Sequence, residues 1–185
     1  MTESLRGSLL ISAPSLRDQN FFRTVILICE HDVTGSIGLV INREAGLKAK
    51  DAMLPVQFSD DCKLMMRLGG PVQTESVFLL HDGTSPGGLA VSEGISFAAD
   101  EATLQELTST DGGADGLTYR LYLGYAGWGA GQLEAEIEHG AWVRAPASSD
   151  LVFETESAKI WPEVLRRLGG RYAIMAQTPI DPELN

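Results

Sequence analysis

This sequence is short of cysteine, of positive charge and of long apolar runs, and each shortage closes off a class of protein. Two cysteines in 185 residues cannot staple a small secreted fold. They also stand in unlike settings: Cys29 ends an apolar run and reads as a buried small hydrophobe, whereas Cys62 lies in the polar Ser59-Asp60-Asp61-Cys62-Lys63. No apolar segment approaches the roughly 20 residues that span a bilayer, and Met1-Thr2-Glu3-Ser4-Leu5-Arg6 has no signal-peptide core. The expected compartment is the cytoplasm, with no membrane partner. Lys and Arg number 14 against 25 Asp and Glu, a formal net charge of −11. That field opposes a polyanion over most of the surface, so no nucleic-acid partner is expected. The one adjacent basic pair, Arg166-Arg167, falls near the C-terminus of a predicted helix, where cations suit the dipole.

What is present suits a folded protein. Hydrophobic residues make up 44% and charged residues 21%, ordinary values for a globular chain. No repeat, linker or low-complexity segment divides residues 1–185, so a single domain is expected. Residues 24–29 form the strongest predicted strand, apolar on both alternating faces and therefore covered on both. Residues 30–36 turn and 37–41 return, an antiparallel hairpin with a loop somewhat longer than the tightest kind. Residues 9–11, 64–67, 77–80, 89–91, 95–97, 117–125, 142–143 and 151–153 read as further strands. Helices are predicted over 47–54, over 101–107 behind the N-cap Asp100, over 132–138, and over 162–168 with Pro162 near its start. Loops are expected at 84–88 and at 108–116, the latter the most mobile segment, and 178–185 reads as a surface tail. Strands in groups with helices irregularly between them favour an α+β fold with a curved, mainly antiparallel sheet.

Four glycines, Gly124, Gly127, Gly129 and Gly131, surround Trp128, and the pattern predicts a constrained strand-to-helix turn packed in the core. Trp128 should be buried, and at least one of Gly127, Gly129 and Gly131 should have positive φ. A dinucleotide fingerprint does not fit. Against G-x-G-x-x-G, the stretch from Gly129 and Gly131 puts Glu134 where the third glycine belongs, and that carboxylate would repel a pyrophosphate.

Three constellations carry chemistry on paper. Glu30-His31-Asp32 sets an imidazole between two carboxylates, and His81-Asp82 offers a second imidazole at a strand end. Together they define a metal- or histidine-dependent hydrolase centred on His31 and His81, which requires the two to meet. At the other end of the hairpin the expected register brings Arg23 beside Asn42 and Arg43, a place for a carboxylate or phosphate unless these residues pair with the chain's own acids, such as Asp18 or Glu44. A nucleophile pairing Cys29 or Ser36 with His31 lacks any recognisable signature.

Taken in order, Gly7-Ser8-Leu9-Leu10-Ile11-Ser12-Ala13-Pro14, the run from Phe22 to Asp32, Gly38-Leu39-Val40-Ile41-Asn42, Gly69-Gly70-Pro71-Val72, the run from Gly124 to Glu134, Trp142, and the Trp161…Leu168-Gly169 helix resemble the landmarks of the bacterial YqgE/AlgH family. The resemblance spans nearly the whole chain and implies a single α+β domain with a bent, barrel-like sheet flanked by helices. It implies little about activity, and no DNA-binding motif supports a regulator acting directly on DNA. The expectation is a noncatalytic cytoplasmic binding or regulatory module that acts through a protein partner or a small anionic ligand held by Arg23, Asn42 and Arg43. No catalytic residue, metal or cofactor is assigned. The hydrolase is the alternative, and a direct DNA-binding regulator comes behind it.

Overall fold

The computed structural model describes residues 4–13, 16, 18–52, 58, 60, 62–83, 87–108 and 117–177. Its strands are β1 (Ser8–Ser12), β2 (Val25–Asp32), β3 (Gly35–Val40), β4 (Glu44–Lys48), β5 (Met65–Leu68), β6 (Val72–His81), β7 (Leu89–Ser92), β8 (Ile95–Ala98), β9 (Tyr119–Gly129) and β10 (Trp142–Pro146). The helices are α1 (Glu101–Thr108), α2 (Gln132–Glu138), α3 (Ser149–Phe153), α4 (Ser157–Leu168) and α5 (Gly170–Met175). Strands follow the order β10-β1-β2-β3-β9-β6-β8-β7, with β5 against β9 and β4 against β5. Every pairing is antiparallel except β5 with β9. The sheet curls until β7 returns to the start of β1, where a Cβ on Gly7 would lie 2.7 Å from the Val91 carbonyl oxygen. This is the α+β fold with a curved, mainly antiparallel, barrel-like sheet that the sequence predicts.

Alternation along β2 explains how the sheet is covered. Val25, Leu27 and Cys29 face an inner core with Leu39, Leu80 and Tyr122, closed by α3 and α4 through Phe153, Ile160 and Trp161. Ile26 and Ile28 face the other way, into a core with Trp128, Trp142 and Leu133 of α2. Leu79, Tyr119 and Leu121 pack with Leu104 of α1 in a third cluster.

β9 is the axis of the molecule. It pairs with β3 and β5 on one side and with β6 on the other. The segment from β5 to β6 crosses β9 in backbone contact. A Cβ on Gly70 would lie 2.1 Å from the Tyr125 carbonyl carbon, and one on Gly124 would lie 2.5 Å from the Gly70 oxygen. Gly124 also has φ +67°, so crossing and backbone conformation both require glycine there.

The structure revises several expectations. The strand runs through Gly124, Gly127, Trp128 and Gly129, so the glycine-rich stretch is mostly strand, and the turn is confined to Ala130 and Gly131. Gly131 carries φ +72° as the residue before α2, and Trp128 is 7% exposed, as expected. The predicted helix over 47–54 is instead the end of β4 followed by a short 3-10 turn at Ala49–Asp51, because pairing with β5 overrides weak helical spacing. Leu151, Val152 and Phe153 form a helix, α3, not a strand. The helix predicted over 162–168 begins earlier, at Ser157, with Pro162 in its interior. The hairpin loop is the tightest kind, Val33 and Thr34 alone, because β2 continues to Asp32. Residues 109–116, 84–86 and 178–185, together with Met53 and Leu54, lie outside the described residues.

Candidate functional site

A β-bulge decides what the Glu30-His31-Asp32 cluster can do. Ile28 pairs with Gly38, but Glu30 pairs with Ile37, so Cys29 is an extra residue in β2. The phase of the strand shifts by one. Glu30 and Asp32 turn to the inner face, while His31 turns outward to α2. There its Nε2 lies 2.9 Å from Glu134 Oε1, and its Nδ1 accepts a hydrogen bond of 3.0 Å from the Leu5 N–H. With Nδ1 accepting from Leu5, Nε2 is the nitrogen that donates to Glu134, and both ring nitrogens are engaged. Glu134 is held below the usual carboxylate range, first by a backbone N–H and then by His31. The same helix supplies Glu136, whose Oε2 accepts from the indole N–H of Trp128 at 2.9 Å and of Trp142 at 2.8 Å.

His81 is elsewhere. It pairs with Tyr119 at one end of β9, whereas His31 pairs with Ser36, which pairs with Trp128 near the other end. Nine residues of strand separate those positions, roughly 30 Å of chain at about 3.3 Å per residue. His81 is fully buried, with Nε2 on the Gly87 carbonyl oxygen at 2.9 Å. The two histidines do not meet, so a hydrolase centred on them has no shared site. Among the described residues, no group of three or more His, Cys, Asp or Glu side chains is placed to hold a metal. Cys29 is buried, and burial pushes its thiol well above the ordinary range, which keeps it unreactive.

On the inner face, beside Glu30 and Asp32, lies an open cleft of about 420 Å³. Ile37, Val72 and Tyr125 wall it, and the backbones of Gly35 and Gly127 form its floor. A Cβ on Gly127 would meet only the edge of the Tyr125 ring, at 2.9 Å. On Gly129, next along the same face, it would meet nothing nearer than Gln132 Oε1 at 3.9 Å. Neither glycine has positive φ. The edge of β9 is open here as well: its pairing with β6 ends at Val72 and Tyr125, so among the described residues no strand lies beyond Tyr125 on that side. Asp32 is held below the usual carboxylate range, first by the Thr34 hydroxyl and then by the Thr34 N–H. Val33, at the hairpin tip, is 90% exposed.

The structure does bring Arg23, Asn42 and Arg43 together, since Ile26 pairs with Val40 and the register extends to them. Their groups engage the chain itself. Asn42 Oδ1 accepts from the Val25 N–H at 2.8 Å, and its amide donates to the Arg23 carbonyl oxygen at 2.9 Å. Arg43 donates to the carbonyl oxygens of Gln19 and Phe22 at 3.2 and 3.1 Å. Burial lowers its pKa, and the nearby Asp18 opposes that. Arg23 has φ +52°, and its guanidinium stacks 4.8 Å from the Trp161 ring centroid.

Comparisons with known proteins agree on one relationship. The family model described as AlgH-like matches residues 9–173. A UPF0301 protein of Chlorobaculum tepidum is 39% identical over 181 residues, covering 97% of this chain and 95% of the relative. One from Chlamydia muridarum is 35% identical over 185 residues, with the same coverage of both chains. The solution structure of the AlgH protein from Pseudomonas aeruginosa is similar with a TM-score of 0.76 at 29% identity, covering 98% of this chain and all of that one. A crystal structure of a protein from Corynebacterium diphtheriae matches with a TM-score of 0.74 at 26% identity, covering 96% and 94%. Taken with the glycine-rich β9 and its tryptophan, these matches show that the chain belongs to the AlgH-like family.

Proposed function

We propose that this protein is a cytoplasmic binding module without an active site of its own. In this reading, the cleft takes an extended segment of a protein partner, which pairs with the open edge of β9 beyond Tyr125. The observation that carries it is the lack of a side chain at Gly127, which lines the cleft, and at Gly129 beside it, whose N–H donates to Gln132 Oε1 at 3.1 Å. Glycine inside a strand costs about 0.5–1 kcal/mol relative to alanine, and neither backbone angle nor internal crowding calls for it at 129. A glycine in such a place suits the close approach of another backbone. Glu30 and Asp32 on the rim favour lysine or arginine on the incoming segment. The same carboxylates, and the net charge of −11, disfavour DNA.

The test is a photo-crosslinking amino acid at Thr34, on the rim, introduced in cells. A discrete adduct with one partner that disappears when Gly129→Val is added supports the reading. No discrete adduct, or one that survives the valine, contradicts it.

A further inference from the structure

A second site lies farther along the inner face of β9, where the cleft does not reach. Arg67 of β5 is the register neighbour of Tyr122, and Arg120 precedes Tyr122 by two on the same strand, so all three side chains share one face. Arg67 is 8% exposed and Tyr122 fully buried. Arg67 Nη1 donates to the Ile41 carbonyl oxygen at 2.6 Å. Arg120 donates to the carbonyl oxygens of Tyr119 and Phe153, which ties it to α3. Among the described residues, neither guanidinium has a carboxylate within ion-pair distance. Of the acids nearest in register, Glu44 accepts from the Ser157 hydroxyl, and Asp82 accepts from the Thr118 N–H while its charge still acts on Arg120.

The groups left over are donors. Among the described residues, Arg120 Nε is buried without a hydrogen-bond partner, as is the Trp161 indole N–H in the same core, and the buried Tyr122 hydroxyl has only Arg67 beside it, a donor that cannot take the phenol proton. Burial pushes the Tyr122 hydroxyl up to about 12, against the pull of Arg67 and Arg120, so it keeps its proton. Burial, and next the charge of Arg67, lower the Arg120 pKa. Two like charges taken out of water are costly, Asp82 offsets part of that at Arg120, and one anion between the two guanidiniums would remove the rest.

We infer that Arg67, Arg120 and Tyr122 form a binding site for a small oxyanion, a carboxylate or phosphate, between the inner face of the sheet and α3. The site is independent of the β9 cleft and of any partner bound there. The two guanidiniums supply charge and forked donors, and the phenol supplies one neutral donor. Half-buried Arg120 is the side from which solvent reaches it.

The test uses inorganic phosphate and acetate, each against chloride at matched ionic strength, with thermal midpoint and tryptophan fluorescence as readouts. Either oxyanion should raise the midpoint saturably where chloride does not, and the stronger of the two identifies the preferred class. Tyr122→Phe keeps the shape of the core and should weaken the response about tenfold, the loss of one hydrogen bond to a charged group. Arg120→Gln should abolish the response while matching or exceeding the wild-type midpoint in chloride alone. A midpoint that follows ionic strength only, or variants that respond as the wild type does, would overturn the assignment.

Discussion

His31 Nε2 and Glu134 Oε1 lie 2.9 Å apart across 103 residues of sequence, and the imidazole's other nitrogen holds the Leu5 N–H. His31 is therefore a strut between the N-terminal segment, β2 and α2. Removing the imidazole leaves the Leu5 N–H without its acceptor, so hydrogen exchange at the Leu5 amide, followed by NMR, should speed up in His31→Ala. His31→Ala should cost about 1–2 kcal/mol of stability.

Glu136 joins two indoles. Burial raises its pKa, but hydrogen bonds from Trp142, Gln132 and Trp128 outweigh that and hold it below its ordinary value of 4.5. A carboxylate depressed in the folded state contributes stability above its unfolded pKa, and loses it as pH falls through the folded one. The difference between wild type and Glu136→Gln should be about 1–3 kcal/mol at neutral pH and should shrink below pH 4.5. Urea unfolding at several pH values measures it.

The glycines of β9 should separate into two classes. Gly124→Ala meets both a positive φ and the Gly70 carbonyl oxygen, and should cost about 3 kcal/mol or more. Gly129→Val meets neither, and its unfolding free energy should stay within about 1 kcal/mol of wild type. Thermal or urea melts of the two variants check the contrast.

Asn42 closes the arginine end of the hairpin by satisfying a fully buried strand residue, Val25. Asn42→Ala leaves that N–H without its partner and should cost about 1–3 kcal/mol, read by urea unfolding.

Much of this fold was legible in the sequence for a physical reason. Residues 24–29 are apolar on both faces, which requires a central strand, and residues 37–41 could only return beside it. That His31 points away from Glu30 and Asp32 follows from strand alternation, but the bulge at Cys29 left no mark in the pattern, so which face each takes could not be read. Leu151, Val152 and Phe153 are all buried, and three buried apolar residues in a row read as strand although they form a helix. The glycine-rich stretch announced close packing, but not that β9 runs through it to an open edge. Arg67 and Tyr122 became neighbours through a parallel pairing between segments far apart in sequence.

The cleft is tested most directly with a displayed library of random peptides, selected on the wild type and counter-selected on Gly129→Val. Enriched peptides are then titrated into isotope-labelled protein. Peptides rich in lysine or arginine should emerge, and they should shift the amides of Gly35, Gly127 and Gly129 in the wild type but not in the valine variant. Failure to enrich against the variant, or shifts centred away from the end of β9, would contradict the account.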